Sequence, residues 1–188
     1  YLSYVWTSEG WLYLAVVLDL FARRVVGWAV SDRLHKELAL EALRKALAIR
    51  VLGPYGGSAP GYRMTTFLID GETALDAGAL TEALPLAAQR RLRRVVLTHA
   101  HLDHVASLPF LVENLYGRER PLEIIAPAPV LRTLSRHVFN DAAWPDFTRL
   151  PSRRRPTMVF RPVAVGRPFL AGGVRFTPLP VDHIVAAY

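Results

Sequence analysis

The chain contains no cysteine. Disulfides and thiolate metal sites are therefore excluded, and any metal must sit on nitrogen and oxygen ligands. Lysine is nearly absent: of 23 basic residues only Lys36 and Lys45 are lysines. Long apolar runs are also missing. The longest near the front, Trp11 to Leu18, is eight residues, whereas a membrane span needs roughly 20. No membrane partner is expected. No basic segment followed by an apolar core and a small-residue cleavage site opens the chain, so a cytoplasmic location is the expectation.

What is present supports a folded protein. Apolar residues make up 52% of the 188 positions, enough for a real core. The net charge is +7. A basic balance can mean a nucleic-acid partner. The arginines are scattered, however, apart from Arg90, Arg91, Arg93, Arg94 and the run Arg153 to Arg155. A solvated surface is the preferred reading, and an anionic phosphate substrate would suit the same field.

Residues 1–47 read as strand, strand, helix. Trp11 to Leu18 is aromatic and β-branched, and Val25 to Val30 is a second such run after a polar break at Asp19 to Arg24. Ser31 or Asp32 can cap a helix in which Leu40, Leu43 and Leu47 share one face. Tyr4 to Ser31 resembles the catalytic core of insertion-sequence transposases of the retroviral-integrase superfamily, nearly continuously over some 45 residues. The resemblance implies a ribonuclease-H-like fragment. That family holds two metal ions with an Asp-Asp-Glu triad. Tyr1 occupies the position matching the first Asp, and the regions supplying the other two acids have no counterpart. Asp19 lies in the pattern but not at a catalytic position. No transposase catalytic residue is retained.

Around Ala48 the pattern changes without a Gly/Ser-rich or charged linker, which reads as a gene fusion or an assembly error. Ile49 to Gly57 is a short strand entering a Gly/Pro turn. Met64 to Asp70, Gly71, and Thr73 to Gly78 read as a hairpin about an Asp-Gly turn. A helical stretch near Thr81 to Gln89 follows, then a buried strand from Arg94 to Leu97. It ends at Thr98-His99-Ala-His101-Leu-Asp103-His104, after which Val105, Leu108 and Leu111 recur at helical spacing.

Four metal-capable side chains in six residues after a buried strand are a specific pattern. In an extended segment His99 and His101 project to one side and can grip one cation. Asp103 and His104, where the chain turns into a helix, can face a second. Two ions about 3.5–4 Å apart can clamp the attacking and leaving oxygens of a displacement. Histidine with carboxylate favours Zn, with Mn and Fe as alternatives. A chance cluster of surface histidines is the weaker reading.

Thr-His-Ala-His-Leu-Asp-His is similar to the signature of the metallo-β-lactamase superfamily. Matching motifs extend from about Ile49 to Tyr188. Within it the chain most resembles class II cyclic-nucleotide phosphodiesterases, relatives of ribonuclease Z. The residues that carry this are Val51 to Gly57, Phe67 to Gly71 with Leu75 to Gly78, and His137 to Phe147, with its His-x-Phe-Asn and Trp-Pro-Asp pieces. The resemblance implies hydrolysis of 3′,5′-cyclic nucleotides such as cyclic AMP, with two divalent metal ions. It implies His99, His101 and His183 on the first ion and Asp103 and His104 on the second, these last two being the catalytic pair. Asp76 would support the metal loop from behind the ligands while fixing its own Asp-Ala-Gly turn. Asp182 reads as a neighbour of the site, His35 as a surface residue, and His137 as packing ahead of pocket architecture. The family's site also uses a bridging Asp and a final His, for which no match is found. An incomplete αββα sandwich is therefore expected for 48–188, truncated at the C-terminus and behind the fragment at 1–47.

The expected protein is thus a metal-dependent phosphodiester hydrolase of α/β class, with activity impaired in the truncated chain by the lack of a bridging Asp and a final His. The rivals are a ribonuclease Z-like nuclease and an inactive, DNA-associated transposase remnant. Salt-dependent binding of random duplex DNA would mark the last.

Overall fold

The computed structural model describes residues 1–19, 24–45 and 49–188. It divides into two compact units, Tyr1–Ala48 and Ile49–Tyr188.

The first unit is a three-stranded antiparallel sheet with one helix: β1 (Leu2–Thr7), β2 (Gly10–Asp19), β3 (Arg24–Ser31) and α1 (Lys36–Lys45). β2 and β3 are the two strands read from the sequence. β1 is additional to that reading. It is almost wholly exposed, so no buried face imposes a legible alternation on it. A two-residue turn joins it to β2, with Trp6 opposite Trp11 and the Thr7 hydroxyl donating to the Gly10 carbonyl at 2.8 Å. The helix also differs from expectation. Its buried residues are Leu38 and Ala42, packed on Ala15 and Ala29, while Leu40 and Leu43 are 44% and 59% exposed. Ala15 and Ala29, flanked by the partly buried Tyr13 and Val17, leave room on the sheet that a Leu38/Ala42 pair at i, i+4 fits. Leu47 lies outside the described residues. The cap is His35, whose Nδ1 accepts the Leu38 N–H at 3.2 Å, rather than Ser31 or Asp32.

The second unit is built on one six-stranded sheet. Its elements begin with β4 (Ile49–Gly53), β5 (Thr66–Ile69), β6 (Thr73–Leu75), α2 (Leu80–Ala83), α3 (Leu86–Gln89) and β7 (Arg94–Val96). They continue with α4 (Leu102–Val105), α5 (Leu108–Asn114), β8 (Leu122–Pro127) and α6 (Ala128–His137). The strands β9 (Pro151–Ser152), β10 (Arg155–Pro156), β11 (Met158–Val163), β12 (Phe169–Ala171) and β13 (Val174–Phe176) complete it. The sheet order is β11-β8-β7-β6-β5-β4. β5 runs antiparallel to both β4 and β6, and β6, β7, β8 and β11 are mutually parallel. The parallel strands read as apolar runs because both faces are covered. One face carries the main core, where Val95, Leu97 and Ile124 meet Leu108, Leu111 and Leu134 of the helices. On the other, Val96 and Ile125 pack against Ala171 of the β12–β13 hairpin.

The expected helix over 81–89 is two separate turns, α2 and α3. Pro85 restricts the residue before it to extended backbone, and Leu84 has φ −118° and ψ 131°. Among the described residues no helix is long and apolar enough to cross a membrane.

Candidate metal centre

The motif occupies the C-terminal end of β7 and the short helix that follows. This end of a parallel sheet is where loops diverge and leave room for a ligand. Thr98 and His99 leave the strand. His101 is still extended, φ −68° and ψ 151°, at the N-cap of α4, whose first turn holds Asp103 and His104. The change from extended to helical backbone between His101 and Asp103 turns four side chains of one short segment toward a common space.

His183 arrives from the far end of the sequence. The 181–188 segment folds back, with the Tyr188 N–H donating to the Thr98 carbonyl at 3.2 Å and the Val181 N–H to Ala187 at 3.2 Å. The ring centroids of His99, His101 and His183 form a triangle with 4.9 Å sides. One nitrogen from each ring lies within 4.8 Å of the other two. A second set, His99, Asp103 and His104, satisfies the same criterion. His99 thus belongs to both sets, whereas the sequence reading gave it to the first alone. Its ring stands 4.0 Å from that of His104.

Asp76 lies behind this donor cluster. Its Oδ2 is 2.7 Å from His104 Nδ1, and its Oδ1 accepts the Thr98 N–H at 2.9 Å. It is 2% exposed, so its charge acts at full strength on these partners. Binding of Nδ1 leaves His104 Nε2 facing the site, where it lies 3.3 Å from Asp103 Oδ2. Burial lowers the affinity of His104 for a proton, but the Asp76 hydrogen bond and the charges of Asp76 and Asp103 outweigh it, so its pKa is raised. His99 shifts the other way. Burial, then the neighbouring His104, lowers its pKa, with Asp76 opposing and His101 and His183 adding to the fall. A neutral His99 keeps a lone pair for a cation.

Two residues with structural roles here were quoted in the motifs but given no function from sequence. The Thr98 hydroxyl lies 2.9 and 3.0 Å from the Asp76 oxygens and 3.0 Å from His99 Nδ1, linking the carboxylate to both sets. Gly78 allows a close approach: a Cβ there would sit 2.1 Å from the Asp103 carbonyl oxygen and 2.6 Å from Met64 Cβ. Adjacent backbone fixes the same junction, with the Ala77 N–H donating to the His104 carbonyl at 2.7 Å.

Other expected residues fall elsewhere. Asp182 is exposed and in neither donor set. His137 is exposed at the end of α6, beside Arg132 and Arg136. Its motif partner Trp144 packs edge-on against Phe110 at 5.3 Å, and Asn140 caps local backbone at Ala142 and Ala143. His35 is exposed in the first unit.

The donor chemistry fits divalent ions. Four imidazoles crowded with a carboxylate, one of them buried with its pKa lowered, form a poor apolar core and a good nitrogen–oxygen cage. His99, His101 and His183 would hold one ion, and Asp103 and His104, with His99 at their shared edge, would face a second.

The first 46 or so residues match the Escherichia coli transposase InsF of insertion sequence IS3A at 54% identity over 46 residues, 24% of this chain and 16% of that protein. The putative transposase InsO of IS911B, from the same bacterium, is 52% identical over 48 residues, 26% of this chain and 24% of that protein. The chain therefore spans under a quarter of the length of these curated relatives. Among solved structures, the metallo-β-lactamase fold protein YhfI from Bacillus subtilis superposes with a TM-score of 0.55 at 22% identity, covering 74% of this chain and 55% of YhfI. Unliganded yeast PDE1 gives 0.52 at 18%, covering 65% and 52%. The chain spans about half of each. The family model for the beta-lactamase superfamily domain matches residues 65–187, more than half of the sequence. The chain belongs to the beta-lactamase superfamily, and its second unit carries the metallo-β-lactamase fold.

Proposed function

We propose that the second unit, Ile49–Tyr188, is a metal-dependent phosphodiester hydrolase acting on 3′,5′-cyclic nucleotides such as cyclic AMP. The observation that carries the reading is the pair of donor sets joined at His99. Two divalent ions, Zn by the donor chemistry with Mn or Fe as alternatives, would neutralise phosphoryl charge and stabilise the attacking and leaving oxygens. The chain's own residues do the positioning. Asp76 fixes the tautomer and ring plane of His104. Thr98 ties that carboxylate to His99. Asp103, partly open to solvent and 3.3 Å from His104 Nε2, presents its carboxylate toward the substrate space. The His137 to Phe147 motif supports the cyclic-nucleotide assignment. A ribonuclease Z-like nuclease would use the same donor sets.

Residues 1–47 are, in this reading, a fragment of transposase origin that contributes nothing to hydrolysis. Tyr1 stands where the first catalytic Asp would be, and the identity to the E. coli transposases is confined to this part.

The test is to supply purified protein with Zn or Mn and assay cyclic AMP, bis(p-nitrophenyl) phosphate and a precursor tRNA. Turnover of the first two, abolished by His101→Ala, is expected. Cleavage of the tRNA without cyclic AMP turnover would move the assignment to the nuclease. Metal binding without turnover of any of the three would remove the phosphodiesterase reading.

A further inference from the structure

The metal centre lies at the C-terminal end of β7. The N-terminal ends of β7 and β8 carry a different feature. Three adjoining recesses there all share Arg118. They are lined by Arg90, Arg91, Arg93, Arg94, Arg118 and Arg120, drawn from the end of α3, the start of β7 and the turn before β8.

The carboxylates in this groove do not balance it. Glu72 is engaged by Arg93 at 3.0 Å. Glu123 is engaged by Arg161 at 3.3 Å. Glu119 is exposed at the rim. Among the described residues Arg90, Arg94 and Arg120 have no carboxylate partner. Arg118 is half-buried and pinned by its donation to the Leu92 carbonyl at 2.9 Å. Arg93 lines two of the same recesses, and burial, then this neighbouring charge, lowers the Arg118 pKa.

We propose that this groove is a binding site for single-stranded nucleic acid, separate from the metal centre and independent of its chemistry. An extended track of guanidinium groups matches a run of phosphates, because each planar fork can hold phosphate oxygens bidentately. A single compact anion would need one pocket and not three in a row. Tyr116 lines the recess with Arg90 and Arg118 and is 54% exposed, so an unstacked base can lie on its ring. Duplex DNA keeps its bases stacked and offers none to that ring.

The experiment uses the full chain, treated with EDTA so that metal-centre binding is silent. Anisotropy of a fluorescent 20-nucleotide oligo-dT is measured from 50 to 300 mM salt. The groove variant is Arg90→Ser/Arg94→Ser/Arg120→Ser. An equal-charge control is Arg153→Ser/Arg154→Ser/Arg155→Ser, three exposed residues elsewhere in the same unit. The groove variant should lose about tenfold or more in affinity and reduce the salt slope by about 2, at roughly 0.7 per lost phosphate contact. The control should stay within about twofold. The double variant Arg90→Ser/Arg120→Ser alters only exposed side chains and should show an intermediate loss even if the triple variant misfolds. Equal losses in groove and control variants would overturn the site, as would absence of binding at 50 mM salt. Equal competition by polyaspartate would assign an acidic protein ligand instead, and equal affinity for duplex DNA would remove the single-strand assignment.

Discussion

Asp76 has φ 58°, in the left-handed region that Asp and Asn tolerate better than other side chains. The conformation aims one carboxylate at two elements: Oδ1 takes the Thr98 N–H and Oδ2 faces His104 Nδ1. Asp76→Asn should keep the backbone but not the chemistry. The Thr98 N–H requires an oxygen, so the amide NH₂ faces His104 Nδ1. His104 must then carry its proton on Nε2, the atom that faces the site. Loss of such a partner typically costs about 10–100-fold in metal affinity, and calorimetric titration with Zn or Mn should show this with an unchanged circular dichroism spectrum. Unchanged affinity would mean that the Asp76–His104 contact does not set the ligand. At Gly78 the effect is steric. Gly78→Ala places a methyl against the Asp103 carbonyl and Met64 Cβ, and overpacking of this kind costs about 1–3 kcal/mol. Thermal unfolding should shift down, with metal affinity falling in step because Asp103 must move. An unshifted melting curve would show that the loop relaxes freely.

At the scale of elements, the 140–150 segment shows how polar contacts hold a stretch with little regular structure. Asp146 accepts the Thr148 N–H at 3.0 Å and an Arg149 N–H at 2.7 Å, while Arg149 also reaches Asp141. Partial burial works to raise the Asp146 pKa, but hydrogen bonds from Thr148 and Arg149 and the Arg149 charge outweigh it, and the net shift is downward. A depressed folded pKa contributes stability that is present above the unfolded carboxylate pKa of about 3.9 and is lost as pH falls through the folded value. Asp146→Ala should therefore melt below the parent at pH 7, and the gap should close in the acid range below pH 4. A gap constant from pH 7 to pH 3 would assign the effect to packing. What the sequence disclosed about the elements follows similar logic. The β5–β6 hairpin was legible because Asp70 and Gly71, φ 52° and 72°, are residues that accept positive φ. The clustering of His99, His101, Asp103 and His104 was legible because the spacing survives any local turn. The joining of His183 to them came only through family resemblance, since more than seventy residues intervene. The face of α1 was misread because leucine pattern alone does not reveal that the opposing sheet presents Ala15 and Ala29. The split between α2 and α3 was present in the sequence as Leu84-Pro85 and outweighs the helical periodicity around it. Thr98 had no legible role, because its partner Asp76 is 22 residues away.

At the scale of the whole molecule the two units differ in what holds them. Among the described residues the buried core of the first is Ala15, Ala29, Leu38 and Ala42, while Val5, Leu12, Val25 and Val30 of its sheet remain exposed. A fully buried leucine contributes about 1.5–3 kcal/mol, and alanines much less. Ordering the backbone costs about 1–2 kcal/mol per residue. A unit of under 50 residues without disulfide or metal rarely closes that gap. The second unit buries Leu92, Leu108, Leu111, Leu122, Ile124, Leu134, Phe139, Phe147 and Met158 around its parallel strands and holds all five proposed ligands. Hydrogen exchange at neutral pH should therefore find amides of β1–β3 exchanging orders of magnitude faster than those of β7 and β8. Metal sharpens the contrast. A ligand that binds only the folded form stabilises by about 2.7 kcal/mol at a free concentration 100 times its Kd. Adding Zn should slow exchange across β7, α4 and the 181–188 segment, and leave β1–β3 unchanged because, among the described residues, no donor set lies there. Equal protection of both units without metal would show that the first has a source of stability beyond its small core. Zn-dependent protection confined to residues 98–104, without 181–188, would remove His183 from the ligand set.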